Sequence, residues 1–574
     1  MATPLGNRIQ LGSLSGSGRS LVVPPDIRDK HLYIAGATGT GKSKFLEHLI
    51  RQDILANRAS GCGMLVIDPH GSLYDNLVAW MTMKNLHRPF ILIDMRDADW
   101  VVGYNVLRRR EHANPSVIVE NFVQAMSHVW GEDGTDKTPL FARWASNTLR
   151  LLYEHGLTLS DAFRLFESEA VRAALSSTLT ASIPRRDWAM VNTLKPKEFE
   201  DQLGSTINRL RRFGENDVMQ CIFGLPTASL DLGDAIERGA IVLVSLARAK
   251  GRVSKEDAEL FATLLLTDLW TAAQERGKKQ GVKPFYVYLD EFQRFVTPTI
   301  AENLDEARGF GLHLTFAHQF PKQLMDSGPH GRKVYNSVME NASSKVVFRM
   351  TDPENLEPLA KSLFLGVMNP DEIKHELWST KVMGYSEEYR TAYGRSTTSA
   401  SAYAEHESTS DGASEAFNLE GTMPGIAHSL NTHSGSTAGR THSSQEATTE
   451  SEARVPMLIP QLGKELSHVQ FRSLEEQVHR AMVALFDQEQ RQFTARLVGM
   501  RVPVSLLTPV VEHSLVQQWR VKEYVKHQME RLPAAIPAVE ALKQLREREA
   551  SFVKRFGNTD LSVSEPTISR RRVR

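Results

Sequence analysis

Apolar residues along this chain come in two rhythms. The first is a set of short continuous runs: LYIA (32–35), MLVID (64–68), FILID (90–94), AIVLVSL (240–246), FYVYLD (285–290), LHLTFA (312–317) and KVVFRM (345–350). They are rich in β-branched and aromatic residues and do not alternate with polar ones. Such runs predict strands covered on both faces, as in a mainly parallel sheet. Helical patterns lie between most of them, so the expected class is α/β, with helices layered on the sheet.

The second rhythm takes over between about 106 and 235, where no strand-like run occurs. Val119, Phe122, Val123 and Met126 fall at i, i+3, i+4, i+7. Phe141, Trp144, Ala145, Leu149 and Leu152 make another helical stripe. Gly156 stops that helix, and Thr158 with Asp161 forms a capping box for the next. This segment reads as an all-helical insertion in the α/β domain.

Neither rhythm survives in about 386–453, where Ser, Thr, Ala, Gly and Glu dominate. Too little apolar surface is present to offset ordering entropy, so disorder is expected. Order resumes at VPMLIPQL (455–462). Beyond 511, Trp519, Val521, Tyr524 and Val525 mark a charged amphipathic helix, and the basic tail SRRRVR reads as a frayed terminus or a nucleic-acid arm. The expected plan is therefore an α/β domain in parts. Residues 1–107 are its first part, 108–235 the helical insertion and 236–385 its second part. Then follow a Ser/Thr-rich segment (386–453), a C-terminal part of the α/β domain (454–510) and a helical tail (511–574).

Composition narrows the function. Across 574 residues, Lys+Arg and Asp+Glu both number 68, so no global positive field draws nucleic acid. Any DNA contact must come from a local basic lining. Cys62 and Cys221 stand far apart, without zinc-ligand spacing, and read as reduced core residues. No secretory signal and no apolar run of roughly 18–20 residues is visible, which predicts a soluble, cytoplasmic protein.

The chemistry begins at Gly36-Ala37-Thr38-Gly39-Thr40-Gly41-Lys42-Ser43, followed by Lys44. It fits G-x-x-x-x-G-K-[ST] at every fixed position, with a strand before and a helix after. In that pattern the glycines let backbone N–H groups turn around phosphates. Lys42 would reach the β- and γ-phosphates, Ser43 would ligate Mg²⁺, and the helix N-terminus favours the anion. The earlier LSGSG (14–18) reads as a flexible Gly/Ser turn.

A second half follows. The strand FYVYLD ends in Asp290-Glu291. Asp290 would hold the Mg²⁺ shell, and Glu291 would polarise an attacking water. No guanine-type NKxD signal is visible, so ATP is the expected nucleotide. Gln319, after the strand 312–317, either senses the γ-phosphate or caps a loop. Arg308, just before that strand, either reaches a neighbouring subunit's nucleotide or pairs within the chain. Asp68-Pro69-His70-Gly71 either builds a tight turn or helps handle nucleotide.

These stretches, with STINRLRRF, ARGFGLHLTFAHQFPKQL and VQFRSLEEQ, resemble the HerA/FtsK superfamily of RecA-like motor ATPases. They are most like the conjugative coupling proteins of the TraD/TrwB type, the DNA-transfer ATPases of type IV secretion. The resemblance covers most of 30–385 and, more weakly, 455–510. It implies a hexamer with ATP between subunits and DNA in a central channel. Lys42 and Ser43 would be the Walker A residues and Asp290 and Glu291 the Walker B pair. Gln319 would be the sensor and Arg308 the trans-acting arginine. It also implies a relaxase, nuclease or secretion-channel partner met by the helical insertion. Coupling proteins usually begin with transmembrane helices. This chain reaches its phosphate loop by residue 36 and has Asn105-Val106-Leu107 where the family has Asn-Pro-Leu. A soluble form, recruited to the inner face of a membrane, is the expectation.

Two functions fit. One is an ATP-driven hexameric DNA translocase. The other is an ATP-gated assembly platform that switches a partner without moving DNA. Arg108-Arg109-Arg110 and Arg209 with Arg211-Arg212 are the densest basic clusters before the tail, and read either as solvated helix faces or as pore linings.

Overall fold

All seven apolar runs become neighbouring strands in the computed structural model, which describes residues 8–109, 114–130, 139–248, 251–278, 281–295, 297, 304–326, 331–401, 407–419, 426–438 and 444–556. In chain order the strands are β1 (Ile9–Leu14), β2 (Ser20–Val23), β3 (Leu32–Ala35), β4 (Gly63–Asp68), β5 (Phe90–Asp94), β6 (Trp100–Val102), β7 (Ile241–Ser245), β8 (Phe285–Asp290), β9 (Leu312–His318), β10 (Ser344–Phe348), β11 (Ile373–Ser401), β12 (Glu407–Leu419), β13 (Ile426–Ala438), β14 (Ser444–Phe471), β15 (Gln492–Arg496), β16 (Val504–Leu507) and β17 (Ala535–Pro537). Parallel pairing gives the order β10-β3-β9-β8-β4-β7-β5, and these are the seven runs read from sequence. Burial on both faces is nearly complete; every residue of β4, β7 and β8 is buried.

Four antiparallel strands extend the β10 side of this eleven-stranded sheet in the order β15-β16-β1-β2. They escaped the sequence reading because they are short and partly polar, as at an edge. The LSGSG stretch is the turn joining β1 to β2, with Gly16 and Gly18 at positive φ. Pairing of β15 and β16 brings residues near 490–508 beside strands from the first half of the chain.

Between β6 and β7 the described residues are helical, from Pro115–Val129 to Leu232–Arg238. Both predicted stripes are buried. The Thr158 N–H and hydroxyl both donate to Asp161, at 2.7 and 2.8 Å, opening a 3₁₀ turn as the capping box required. The insertion shares the core of the sheet layer. Helix Lys255–Arg276 is buried around most of its circumference, as a helix covered on both sides is. Asn121 donates to Thr271 on it at 2.9 Å. Farther along, helix Ala538–Phe556 docks on the insertion, where Arg548 donates to Asp161 at 2.7 Å.

Two compact units result: residues 1–368 with 478–574, and residues 369–477. The second differs from expectation. Described residues of the Ser/Thr-rich stretch lie in paired strands, β11 with β14 and β12 with β13. VPMLIPQL, expected to restart the ATPase domain, is part of β14. Composition does not encode this strand pairing, so it did not reveal the ribbon. Arg110 and the SRRRVR tail lie outside the described residues. Among the described residues, no helix is long and apolar enough to cross a membrane.

Candidate nucleotide site

The phosphate loop leaves the C-terminal end of β3 and opens helix Lys42–Ser60. Its backbone explains its sequence. Gly39 and Gly41 take φ of 81° and 113°, conformations that side chains disfavour. A Cβ on Gly36 would lie 2.5 Å from Cβ of Phe348 on β10. The Ala37 N–H donates out of the loop to Arg349 O (3.1 Å), and within it Thr40 Oγ1 donates to Ala37 O (2.7 Å).

A brace that sequence reasoning missed holds the loop from the C-terminal side. The Arg491 N–H donates to Thr40 O at 2.8 Å, and Gln490 Nε2 to Gly39 O at 3.1 Å. Arg491 adopts φ 72°, unusual for a non-glycine residue. Its guanidinium donates to Thr508 O at 2.6 Å, and the Thr508 N–H donates back to Arg491 O at 2.9 Å. These contacts engage loop carbonyls. They span some 450 residues of sequence, so no local signal could have found them.

The acidic pair Asp290-Glu291 converges on the same place. β9 lies between β3 and β8, so the ends of all three strands face one crevice. Lys42 Nζ sits 2.9 Å from Glu291 Oε1 and 3.5 Å from Asp290 Oδ1. All three side chains are buried. Glu291 takes φ 49°, which turns it back from the strand end toward Lys42. Gln293 Nε2 donates to Glu291 Oε2 at 2.7 Å.

Burial would raise both carboxyl pKa values, but the two are driven apart. At Glu291 burial is outweighed by Lys42 and by hydrogen bonds from Gln293 and Gln319, and its pKa falls below the ordinary range. At Asp290 burial wins over Lys42, helped by the neighbouring charges of Glu291 and Asp68, and its pKa rises. Asp290 Oδ1 has no hydrogen-bond partner among the described residues. A buried carboxylate oxygen left so is a fitting donor for a hard cation.

Gln319 follows β9 into the crevice and accepts from Thr38 Oγ1 at 3.2 Å. Its neighbour His318 is fully buried, hydrogen-bonded to the Tyr33 hydroxyl, and 5.2 Å from the Phe292 ring. Burial, with Lys42 nearby, depresses its pKa to about 3, so it is neutral at physiological pH. Ser43 is exposed at the first turn of its helix. Lys44 turns away from the cradle to pair with Glu47 at 2.7 Å.

Arg308 is not brought to this crevice. It precedes β9, at the opposite end of the parallel strands and roughly 20 Å away along the strand. There it is exposed, and its charge acts on Asp29, His31 and His313. Asp68 builds a turn: its two oxygens accept from the His70 and Tyr74 N–H groups, both at 2.9 Å. Gly71 holds φ 81° where a Cβ would lie 2.6 Å from Ala247 Cβ.

The basic clusters have partners inside the chain. Arg108 pairs with Asp231 and Arg109 donates to Tyr153 O at 3.3 Å. Arg209 lies 4.7 Å over the Phe141 ring, while Arg211 and Arg212 pair with Glu215 and Asp257.

Two family models match. Residues 9–122 match the central domain of helicase HerA, and residues 284–374 match the TraM recognition site of TraD and TraG. The chain carries a HerA-type segment and a TraD/TraG-type segment. The HerA-type segment holds Gly36 to Ser43; the TraD/TraG-type segment holds Asp290, Glu291, Arg308 and Gln319. No curated protein sequence matches the chain. Among solved structures, the unbound bacterial conjugative coupling protein TrwBdeltaN70 aligns at 16% identity over 88% of this chain and 89% of its own, with a TM-score of 0.46. Plasmid coupling protein TrwB in complex with ADP and Mg²⁺ aligns at 15% identity over 88% and 91%, TM-score 0.44. VirB4 of Thermoanaerobacter pseudethanolicus aligns at 15% identity over 63% and 89%, TM-score 0.42.

Proposed function

We propose that this chain hydrolyses ATP and works as a hexameric DNA translocase of the HerA/FtsK type, similar to the coupling proteins that pump DNA. The observation that carries the reading is the meeting of Lys42 with Asp290 and Glu291. A phosphate-loop lysine and a carboxylate pair from separate family segments converge on one buried point. Lys42 would neutralise phosphate charge and the loop N–H groups would cradle it. Glu291, kept ionised by Lys42, Gln293 and Gln319, would orient water and take its proton. Ser43 and Asp290 would hold Mg²⁺, which supplies further neutralisation of the phosphates. Gln319, tied to Thr38 of the loop, would relate the phosphate state to the strand beside Glu291.

Arg308 supports assembly in this reading. It lies too far from its own crevice to act there, so any role at a nucleotide is at a neighbour's. A partner such as a relaxase, nuclease or secretion-channel protein would dock on the ring. The TraM recognition site named for TraD and TraG supports a partner surface within 284–374.

One observation favours the second reading, an ATP-gated platform that switches a partner. The described arginines of both basic clusters are engaged within the chain, which leaves them less available for phosphates. Steady-state ATP turnover with and without duplex DNA separates the two. Stimulation by DNA supports the translocase; stimulation by a protein partner alone supports the platform.

A further inference from the structure

The ribbon of β11 and β14 has one face that is exposed among the described residues. Paired residues in an antiparallel ribbon point to the same side, so the register assigns the faces. Trp378 lies opposite Leu466, Val382 opposite Leu462, Tyr385 opposite Pro460, Glu387 opposite Leu458 and Tyr389 opposite Pro456. Tyr393, opposite Glu452, continues the same side.

On β11 these apolar residues change parity, from even (378, 382) to odd (385, 389, 393). Strict alternation would split them between the two faces. The register shifts between Val382 and Gly384, so Met383 is an extra residue in β11. That bulge places both sets on one side. The opposite side pairs Ser386 with Ile459, Glu388 with Met457, Arg390 with Val455 and Ala392 with Ala453, and holds the Lys381–Glu465 ion pair at 3.0 Å. Val455, Met457 and Ile459 there each face a polar or charged side chain, and Leu377 and the bulged Met383 also lie on this side; none of the five is aromatic.

The aromatic face is exposed: Trp378 by 55%, Tyr389 by 63% and Tyr393 by 81%. With Val382, Tyr385, Leu458, Leu462 and Leu466 it offers on the order of 1,000 Å², taking roughly 200 Å² for each side chain and the exposed fractions. The largest apolar patch on a typical monomer is about 300–600 Å², whereas a standard interface takes about 800 Å² from each partner. A two-stranded ribbon alone is also marginal in water.

We infer that this face packs against the same face of a second copy of the chain, joining ribbons into a shared stalk. Its charges select that occupant. Lys464 and Arg454 stand on the same side as Glu387 and Glu452, so one face offers both signs and a copy supplies the complement. A partner of one charge sign gains nothing there, and a lipid interior would strand all four. The inference does not rest on the ATP-site reading.

The test is a cysteine scan of the full chain, whose native Cys62 and Cys221 are buried. Single cysteines replace Trp378, Tyr385, Tyr389 or Tyr393 on one face and Ser379, Ser386 or Arg390 on the other. Under mild oxidation, aromatic-face positions should yield disulfide-linked chains at least tenfold above opposite-face positions, and should still do so in a Lys42→Ala background. In sedimentation, Tyr385→Ser with Tyr389→Ser should weaken self-association at least tenfold, while Glu388→Ser with Arg390→Ser leaves it unchanged. Equal linking on both faces, no linking at any position, or unlinked chains that bind phosphatidylglycerol vesicles through the aromatic face would each overturn the inference.

Discussion

Lys42 Nζ lies 2.9 Å from Glu291 Oε1, closer than the 3.5 Å that separates it from Asp290 Oδ1. The one ammonium thus sets the two carboxyls apart, holding Glu291 ionised while burial pushes Asp290 the other way. If this contact organises hydrolysis, its two ends should fail differently. Lys42→Ala should lower ATP turnover by roughly 10²–10³, the usual effect of losing one electrostatic stabiliser, and weaken nucleotide binding. Glu291→Gln should lower turnover by about 10²–10⁴ yet retain bound ATP. Nucleotide binding measured beside turnover distinguishes the two, and circular dichroism checks that each variant is folded.

The support around Glu291 predicts a pH effect. Gln293→Ala removes a donor to the carboxylate, so the Glu291 pKa should rise toward its ordinary value. The acid limb of kcat should move to higher pH, with little change at pH 8. An unmoved acid limb would remove Gln293 from the machinery.

How much of this was legible in the sequence depends on the range of the interaction. All seven parallel strands were readable because burial on both faces leaves an unbroken apolar run. The loop from Gly36 to Ser43 and the pair Asp290-Glu291 were readable because each is local. Their sharing of one nucleotide site was expected, but the direct Lys42–Glu291 contact and the role of Gln293 were not, since one more glutamine near a strand end carries no signal. Gln490 and Arg491 stayed hidden because their partners, Gly39 and Thr40, are joined to them only by antiparallel strands. The ribbon stayed hidden because its apolar positions change parity at the Met383 bulge, which breaks the alternation that marks a strand.

That hidden brace can be tested. Gln490→Ala removes the bond to the Gly39 carbonyl, and a hydrogen bond of this kind contributes about 0.5–1.5 kcal/mol. Nucleotide affinity should fall by roughly two- to twelvefold, with kcat at saturation and the melting temperature nearly unchanged. A variant with native affinity would show that the loop holds its shape without this side chain.

Arg308 separates a role between subunits from one within the chain. If it serves a neighbour's nucleotide, Arg308→Ala should cut turnover of the assembled oligomer by roughly 10³–10⁵ while ATP binding persists. If it only screens Asp29 and the nearby histidines, turnover stays and acid stability shifts. Mixing Arg308→Ala with Glu291→Gln protomers sharpens the test, because a trans residue lets mixed rings regain partial activity.

Buried histidines make stability depend on pH. Burial lowers His31 and His313 to about 4 and His318 to about 3. Unfolded histidines protonate near 6.5, so between about pH 6.5 and 4 the unfolded chain binds more protons. Stability is therefore greatest above this window and falls as pH drops through it, by on the order of 3 kcal/mol per ring. His313 faces Asp29 at 3.6 Å, with Arg28 and Arg308 nearby. His313→Gln should flatten the decline in urea midpoint between pH 7 and pH 5.

The most direct measurement is steady-state ATP turnover by the full chain, with and without duplex DNA, beside its mass under the same conditions. A translocase should be a hexamer whose turnover rises severalfold with DNA and collapses in Glu291→Gln. A protomer that stays single and hydrolyses ATP at the same rate whether or not DNA is present would contradict the account.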